Sequence, residues 1–162
     1  MVENIKSAHA DAEKWLYRYN ALKWKDLKTR AEIVHDAIWP STASTEGMGV
    51  KSSNISDPTG RGGIMLATAE YQTLTQEELI WMLAIDAAKA DLDGYAPEIG
   101  RVMSIVYGLD PNDWRPRTKG NRAKYRIKAM MECGIDRDNT YYEWRQKILE
   151  TVICCRMRLL EQ

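Results

Sequence analysis

Phenylalanine is missing altogether from this chain, and histidine occurs only as His9 and His35. Two histidines supply general acid–base chemistry poorly, and no nucleophile–base constellation accompanies them. Cysteine is scarce as well: Cys133, Cys154 and Cys155 form no C-x-x-C pair. A zinc site therefore has neither its ligands nor its spacing, and the odd number of thiols reads as free and structural. No apolar run approaches the about 18 residues that suggest a membrane-spanning helix. The N-terminal MVENIKSAHADAEKW has no signal-peptide core, and mean hydropathy is −0.48. These absences lead us to expect a cytoplasmic chain that touches no membrane, holds no metal or cofactor and is not an enzyme.

Net charge is also missing, but by cancellation. Residues 1 to 114 hold 11 Lys/Arg against 17 Asp/Glu, a balance of −6; residues 115 to 162 hold 12 against 6, a balance of +6. Such asymmetry points to a polyanion-binding part joined to an acidic part with another task.

What is present is helical periodicity. Ile5, Ala8, Ala12, Trp15/Leu16, Tyr19 and Leu22 recur at three-to-four spacing. The stripe slips after NALKWKD and resumes through Leu27, Ile33/Val34 and Ala37/Ile38, leaving open a kink or two packed helices. Pro40 ends it. Of the 24 residues from 40 to 63, 15 are Gly, Pro, Ser or Thr, which predicts a long loop. Thr75-x-x-Glu78 is a capping box opening the next helix. Leu79, Leu83, Ala87 and Ala90 line one face of it, and Trp81, Met82 and Ile85 make its start apolar nearly all round. DGYAP at 93–97 breaks that helix. Ile99, Val102/Met103 and Val106 begin another, closed by Gly108. With no sustained alternation of the strand kind, the expected fold is all-α. It is one domain: helices over 1–39, the loop 40–63, a helical body 64–114 and a basic part 115–162. Trp15, Trp81 and Trp144 belong to its core, while Trp24, Trp39 and Trp114 are left between core and partner anchors.

DPTGRGG at 57–63 lacks the Gly-Lys-Ser/Thr ending of a phosphate loop and follows no strand, so a nucleotide-binding enzyme is set aside. The acidic pairs Glu77/Glu78 and Asp91/Asp93 lie where helix ends usually carry charge.

The basic part carries the chemistry. RPRTKGNRAKYRIK, residues 115–128, has seven positive and no negative side chains: Arg115, Arg117, Lys119, Arg122, Lys124, Arg126 and Lys128, suited to phosphates. AKYRIKAMMECG follows as a helix with Tyr125, Ala129/Met130 and Cys133 on one face. Gly134 suits a tight turn. Thr140-x-x-Glu143 reads as a second capping box, so the following helix is predicted to start at Tyr141. Its inward stripe is Tyr141, Trp144/Arg145, Ile148, Val152 and Cys155. In a helix-turn-helix the second helix enters the major groove and its first residues meet base edges. Here these are Arg137, Asn139, Thr140, Tyr142, Arg145 and Gln146, of types that read guanine and adenine. Asp136, Asp138 and Glu143 oppose phosphate.

CGIDRDNTYYEWRQKIL, residues 133–149, resembles the recognition half of the σ-region-4-like helix-turn-helix of phage late-gene regulators. The order of parts is similar to that of the lambdoid-phage Q antitermination proteins of the phage 21 type, and more loosely to the RinA and ArpU late activators. That order is an N-terminal helix ending at Pro40, a Gly/Ser loop with SDPTGRGG, a block ending in IVYG, then the basic helix-turn-helix. The related Ile-Ser-x-x-Thr pattern departs here: Ile135 to Thr140 has one extra residue, and Asp136 replaces Ser. The resemblance implies a factor that binds DNA at a late promoter and loads onto σ-containing paused RNA polymerase. The polymerase then passes pauses and terminators. In the loop, Lys51, Arg61, Gly62 and Gly63 offer donors to an anion, so it is expected either to order against polymerase or nascent RNA or to serve as a passive tether, and a second protomer on DNA is a further expected partner. The alternatives are a late-gene activator that stays at its site, and a DNA-recognition subunit for genome packaging.

Overall fold

The computed structural model describes residues 2–38, 73–110, 112–113, 115 and 117–161. Among them are five α-helices and no strand: α1 Val2–Ile38, α2 Gln76–Tyr95, α3 Pro97–Tyr107, α4 Arg122–Glu132 and α5 Asp138–Leu160, with a 3-10 turn Lys119–Asn121 before α4. The fold is all-α. The expected loop, with Lys51, Arg61, Gly62 and Gly63, lies outside the described residues, as do Trp39 and Trp114.

The chain divides into two compact units, Met1–Lys23 with Gln76–Gln162, and Trp24–Thr75; the division falls inside α1. In the second unit the Thr73 hydroxyl donates to the Asp26 carboxylate, Arg30 lies 2.9 Å from Asp26, and Ile33 and Leu74 are buried. Leu27, expected on the apolar stripe, is exposed, and so is Trp24.

In the first unit α2 packs on α3 and α5, and α3 also on α4 and α5. The N-terminal half of α1 buries Ala12, Trp15, Leu16, Tyr19 and Leu22. Two stripes compete on α2. The expected one, Leu79, Leu83, Ala87 and Ala90, faces solvent; the buried one is Trp81, Ile85, Ala88 and Leu92, flanked by Met82 and Ala84. The reason is area: Trp81, Ile85 and Leu92 remove far more apolar surface from water than two leucines and two alanines. On α3, Pro97 supplies the first helical residue, where no N–H is needed, and Ile99, Val102, Met103 and Val106 are buried.

Both turns around α3 and α4 use glycine where φ is positive. Gly108 ends α3 at φ 73°, and an added Cβ would lie 2.7 Å from Asn20 Nδ2. Gly134, at φ 65°, follows α4; the Ile135 N–H reaches back 2.8 Å to the Met130 carbonyl, the closure of a Schellman motif. This closure explains why α5 starts early. Ile135 is pulled into the core, only Asp136 and Arg137 remain as linker, and the helix begins at Asp138 with its carboxylate at the positive end of the dipole. Thr140 is thus the third helical residue and not a cap, a correction to the second capping box. Along α5, Tyr141, Ile148, Leu149, Val152 and Cys155 are buried, whereas Trp144 is half-buried.

Candidate nucleic-acid interface

The seven cations of residues 115–128 do not form one free basic surface. Arg115 is exposed and grips Asp113 with Nε at 2.8 Å and Nη2 at 3.2 Å. Arg117 is buried. Its Nη1 donates to the Arg115 carbonyl at 2.7 Å, Nε and Nη2 to the Ile105 carbonyl at 3.3 and 3.1 Å, and Nη2 also to Asp113 at 3.1 Å. The guanidinium lies 3.7 Å over the Tyr125 ring. Arg117 was expected on phosphate and instead fastens the segment after α3 onto α4. Arg122 is half-buried, 3.9 Å over the Tyr17 ring of α1. Arg126 donates to the Tyr142 hydroxyl at 3.0 Å and sits 3.5 Å from Asp138. Lys128 is 3.6 Å from Glu132. Lys119 opens the 3-10 turn. Lys124 is exposed and makes no ion pair among the described residues.

Asp113 shows what this clamp does to charge. The Arg115 hydrogen bond, helped by Arg117 and opposed by partial burial, holds its carboxyl well below the usual carboxylate range. A depressed folded pKa stabilises the fold fully above the unfolded value of about 3.9, and that contribution is lost as pH falls through the folded value. Carboxyl NMR should therefore find Asp113 still ionised where free aspartates are half protonated, and Asp113→Asn should flatten acid unfolding below about pH 4. An ordinary titration midpoint would show the clamp open in solution.

On α5 the expected base-reading residues separate. Arg137 and Asn139 are exposed at the helix start, Thr140 is half-buried, and Tyr142 is 47% exposed. Gln146 is exposed and donates to Glu150 at 2.8 Å. Arg145 departs from expectation: it points into the body, with Nη2 2.7 Å and Nε 3.1 Å from Glu13 on α1. Around it Tyr141 is buried, and burial pushes its hydroxyl up to about 12. The surface left by α4, the Gly134 turn and the first turns of α5 presents Lys124, Arg137, Asn139, Tyr142 and Gln146, beside the exposed acids Asp136, Asp138 and Glu143.

Sequence reading missed three things here. Glu13 and Tyr17 engage Arg145 and Arg122 over separations that no local pattern reveals. The Asp113–Arg117 pair was visible as an acid four residues before a base. Ile127 and Met131, one helical turn apart on α4, are 54% and 79% exposed, and they line a shallow groove of about 420 Å³ with Gly134, Ile135 and Asp138. Their offset from the Tyr125/Ala129 face was the available signal. Among the described residues no cluster of His, Cys, Asp and Glu suits a metal ion, and no helix is long and apolar enough to cross a membrane. In comparisons with known proteins, no family model, no curated protein and no solved structure matches the chain.

Proposed function

We propose that this protein is a DNA-binding regulator of phage late transcription, and that it acts as an antitermination factor rather than an enzyme. In this reading α4 and α5 are a helix-turn-helix of the σ-region-4-like kind. The observation that carries it is the pair of helices closed tightly at Gly134, with Arg137, Asn139, Tyr142 and Gln146 exposed on the leading turns of the second. Such residues at that place meet base edges when the helix lies in a major groove. Arg117 and Arg145 drop out of the contact set, because their donors are spent inside the protein. The phosphate contacts fall to Lys119 and Lys124, with Arg115, Arg126 and Lys128 reaching phosphate only by leaving acidic partners. Partners in this reading are double-stranded DNA, then host RNA polymerase carrying σ, with nascent RNA and a second protomer on DNA as further contacts.

Replacing Arg137, Asn139 or Gln146 with Ala should each cost about 1–3 kcal/mol at the specific site. Lys124→Ala should weaken binding to every sequence alike and lower the salt slope by about 0.9. Gel-shift titrations over a salt series read both effects; normal binding by all four variants would remove DNA from the assignment. The resemblance in the order of parts favours antitermination over activation. Run-off transcription past a terminator downstream of a σ-paused promoter separates them: read-through supports antitermination, and a change in initiation alone supports an activator.

A further inference from the structure

Helices α1, α2 and α5 line a cavity of about 330 Å³, in the size range of small-molecule sites. Asp11, Lys14 and Trp15 come from α1, Glu77 and Trp81 from α2, and Arg156 from α5. The two indoles stack, with centroids 5.9 Å apart and planes 16° off parallel. Arg156 lies 4.5 Å over Trp81, and Arg18 lies 4.5 Å over Trp15. The stack is therefore covered by a guanidinium at each indole, so it offers no free ring to a ligand. It holds the Arg156 guanidinium beside Trp81 at the cavity wall.

The Arg156 guanidinium over Trp81 is a charged donor group of the kind that receives a carboxylate. The Nε of Arg156 is shielded from solvent and has no hydrogen-bond partner among the described residues. Lys14, Asp11 and Glu77 make no ion pair among the described residues either. The lining thus holds two cations and two anions. A simple anion entering it faces two carboxylates, and a simple cation faces Arg156 and Lys14. A molecule carrying both charges satisfies both sets. Ala8 and Ile153 complete the wall with apolar surface.

We propose that this cavity binds a small zwitterion of the α-amino-acid type with an apolar side chain. Its carboxylate meets the edge of Arg156, and its ammonium group meets Asp11 and Glu77. The inference is independent of the DNA-binding reading.

The test is calorimetric titration of the full chain with L-leucine and L-phenylalanine, beside isovalerate, isoamylamine and inorganic phosphate. The amino acids should bind saturably, and isovalerate and isoamylamine, which each keep one charge, should bind about tenfold more weakly or worse. Arg156→Gln and Asp11→Asn should each weaken amino-acid binding by about tenfold, the scale of one lost charge-assisted contact. Because Arg156 also covers Trp81, its replacement can loosen the fold. Asp11 is exposed, so Asp11→Asn keeps the test sound. The proposal falls if neither amino acid saturates by about 50 mM, a concentration that fills even a millimolar site. It falls equally if phosphate binds as well as they do, or if Asp11→Asn binds like the parent.

Discussion

Arg117→Ala is expected to lower folding stability by about 3–5 kcal/mol, as the loss of one partner from a buried charged network does. The side chain is 1% exposed, so nothing in solvent replaces its contacts. Truncation strips the Ile105 and Arg115 carbonyls of a charged donor, removes one of two guanidinium partners from Asp113, and uncovers the Tyr125 ring. Arg117→Lys should recover little of this, because one ammonium cannot serve two carbonyls and a carboxylate while also covering a ring. Urea unfolding of both variants beside Lys124→Ala makes the comparison, since Lys124 is exposed and should unfold like the parent. If Arg117→Ala kept its stability and lost only DNA affinity, Arg117 would be a phosphate contact after all.

Ile148→Ala should cost about 2–5 kcal/mol, the transfer loss plus the cavity left where neighbours cannot close in. Ile148 is fully buried in the middle of α5, with Leu149 and Val152 beside it in the sequence and also buried. Ile148→Val should cost only about 0.5–1.5 kcal/mol, and the pair of values measured by chemical denaturation separates packing from backbone effects. DNA binding should fall with the folded fraction and no further. A loss below about 1 kcal/mol for the alanine variant would place Ile148 at the edge of the core.

Much of the fold was legible because it rests on local rules. Gly108 and Gly134 sit where φ is positive, and Pro97 opens a helix where its missing N–H costs nothing. The stripe Tyr141, Ile148, Val152 and Cys155 was readable from its three-to-four spacing. On α2 two faces existed, and a count of periodic positions could not weigh one tryptophan against two alanines. The capping-box pattern at Thr140 was real as a pattern. It lost to the turn closed by Gly134 and Ile135, which lets the helix begin three residues earlier, at Asp138.

The candidate site was less legible for one reason: a run of basic residues does not reveal which members find partners inside the protein. Arg117 finds a carbonyl at Ile105, and Arg145 finds Glu13, far away in sequence. Their charges were counted toward a polyanion, yet they hold helices together. For the proposed DNA contact, what remains is smaller and more neutral than the composition suggested. On that proposal the surface is better suited to reading bases than to gripping phosphate.

The length of α5 has a mechanical consequence. Its 23 residues run without a break from Asp138 to Leu160, which at 1.5 Å per residue makes a rod of about 34 Å. Taking the buried Ile148, Leu149, Val152 and Cys155 as a fulcrum, Asn139 lies at the end of one arm and Arg158 near the end of the other. A tilt of about 5° at that fulcrum swings Asn139 by about 1.4 Å over its arm of about 16 Å. A shift of that size is enough to break a hydrogen bond to a base edge. On the proposed DNA-binding reading, a load applied to the far arm is felt at the Asn139 end as a change of aim.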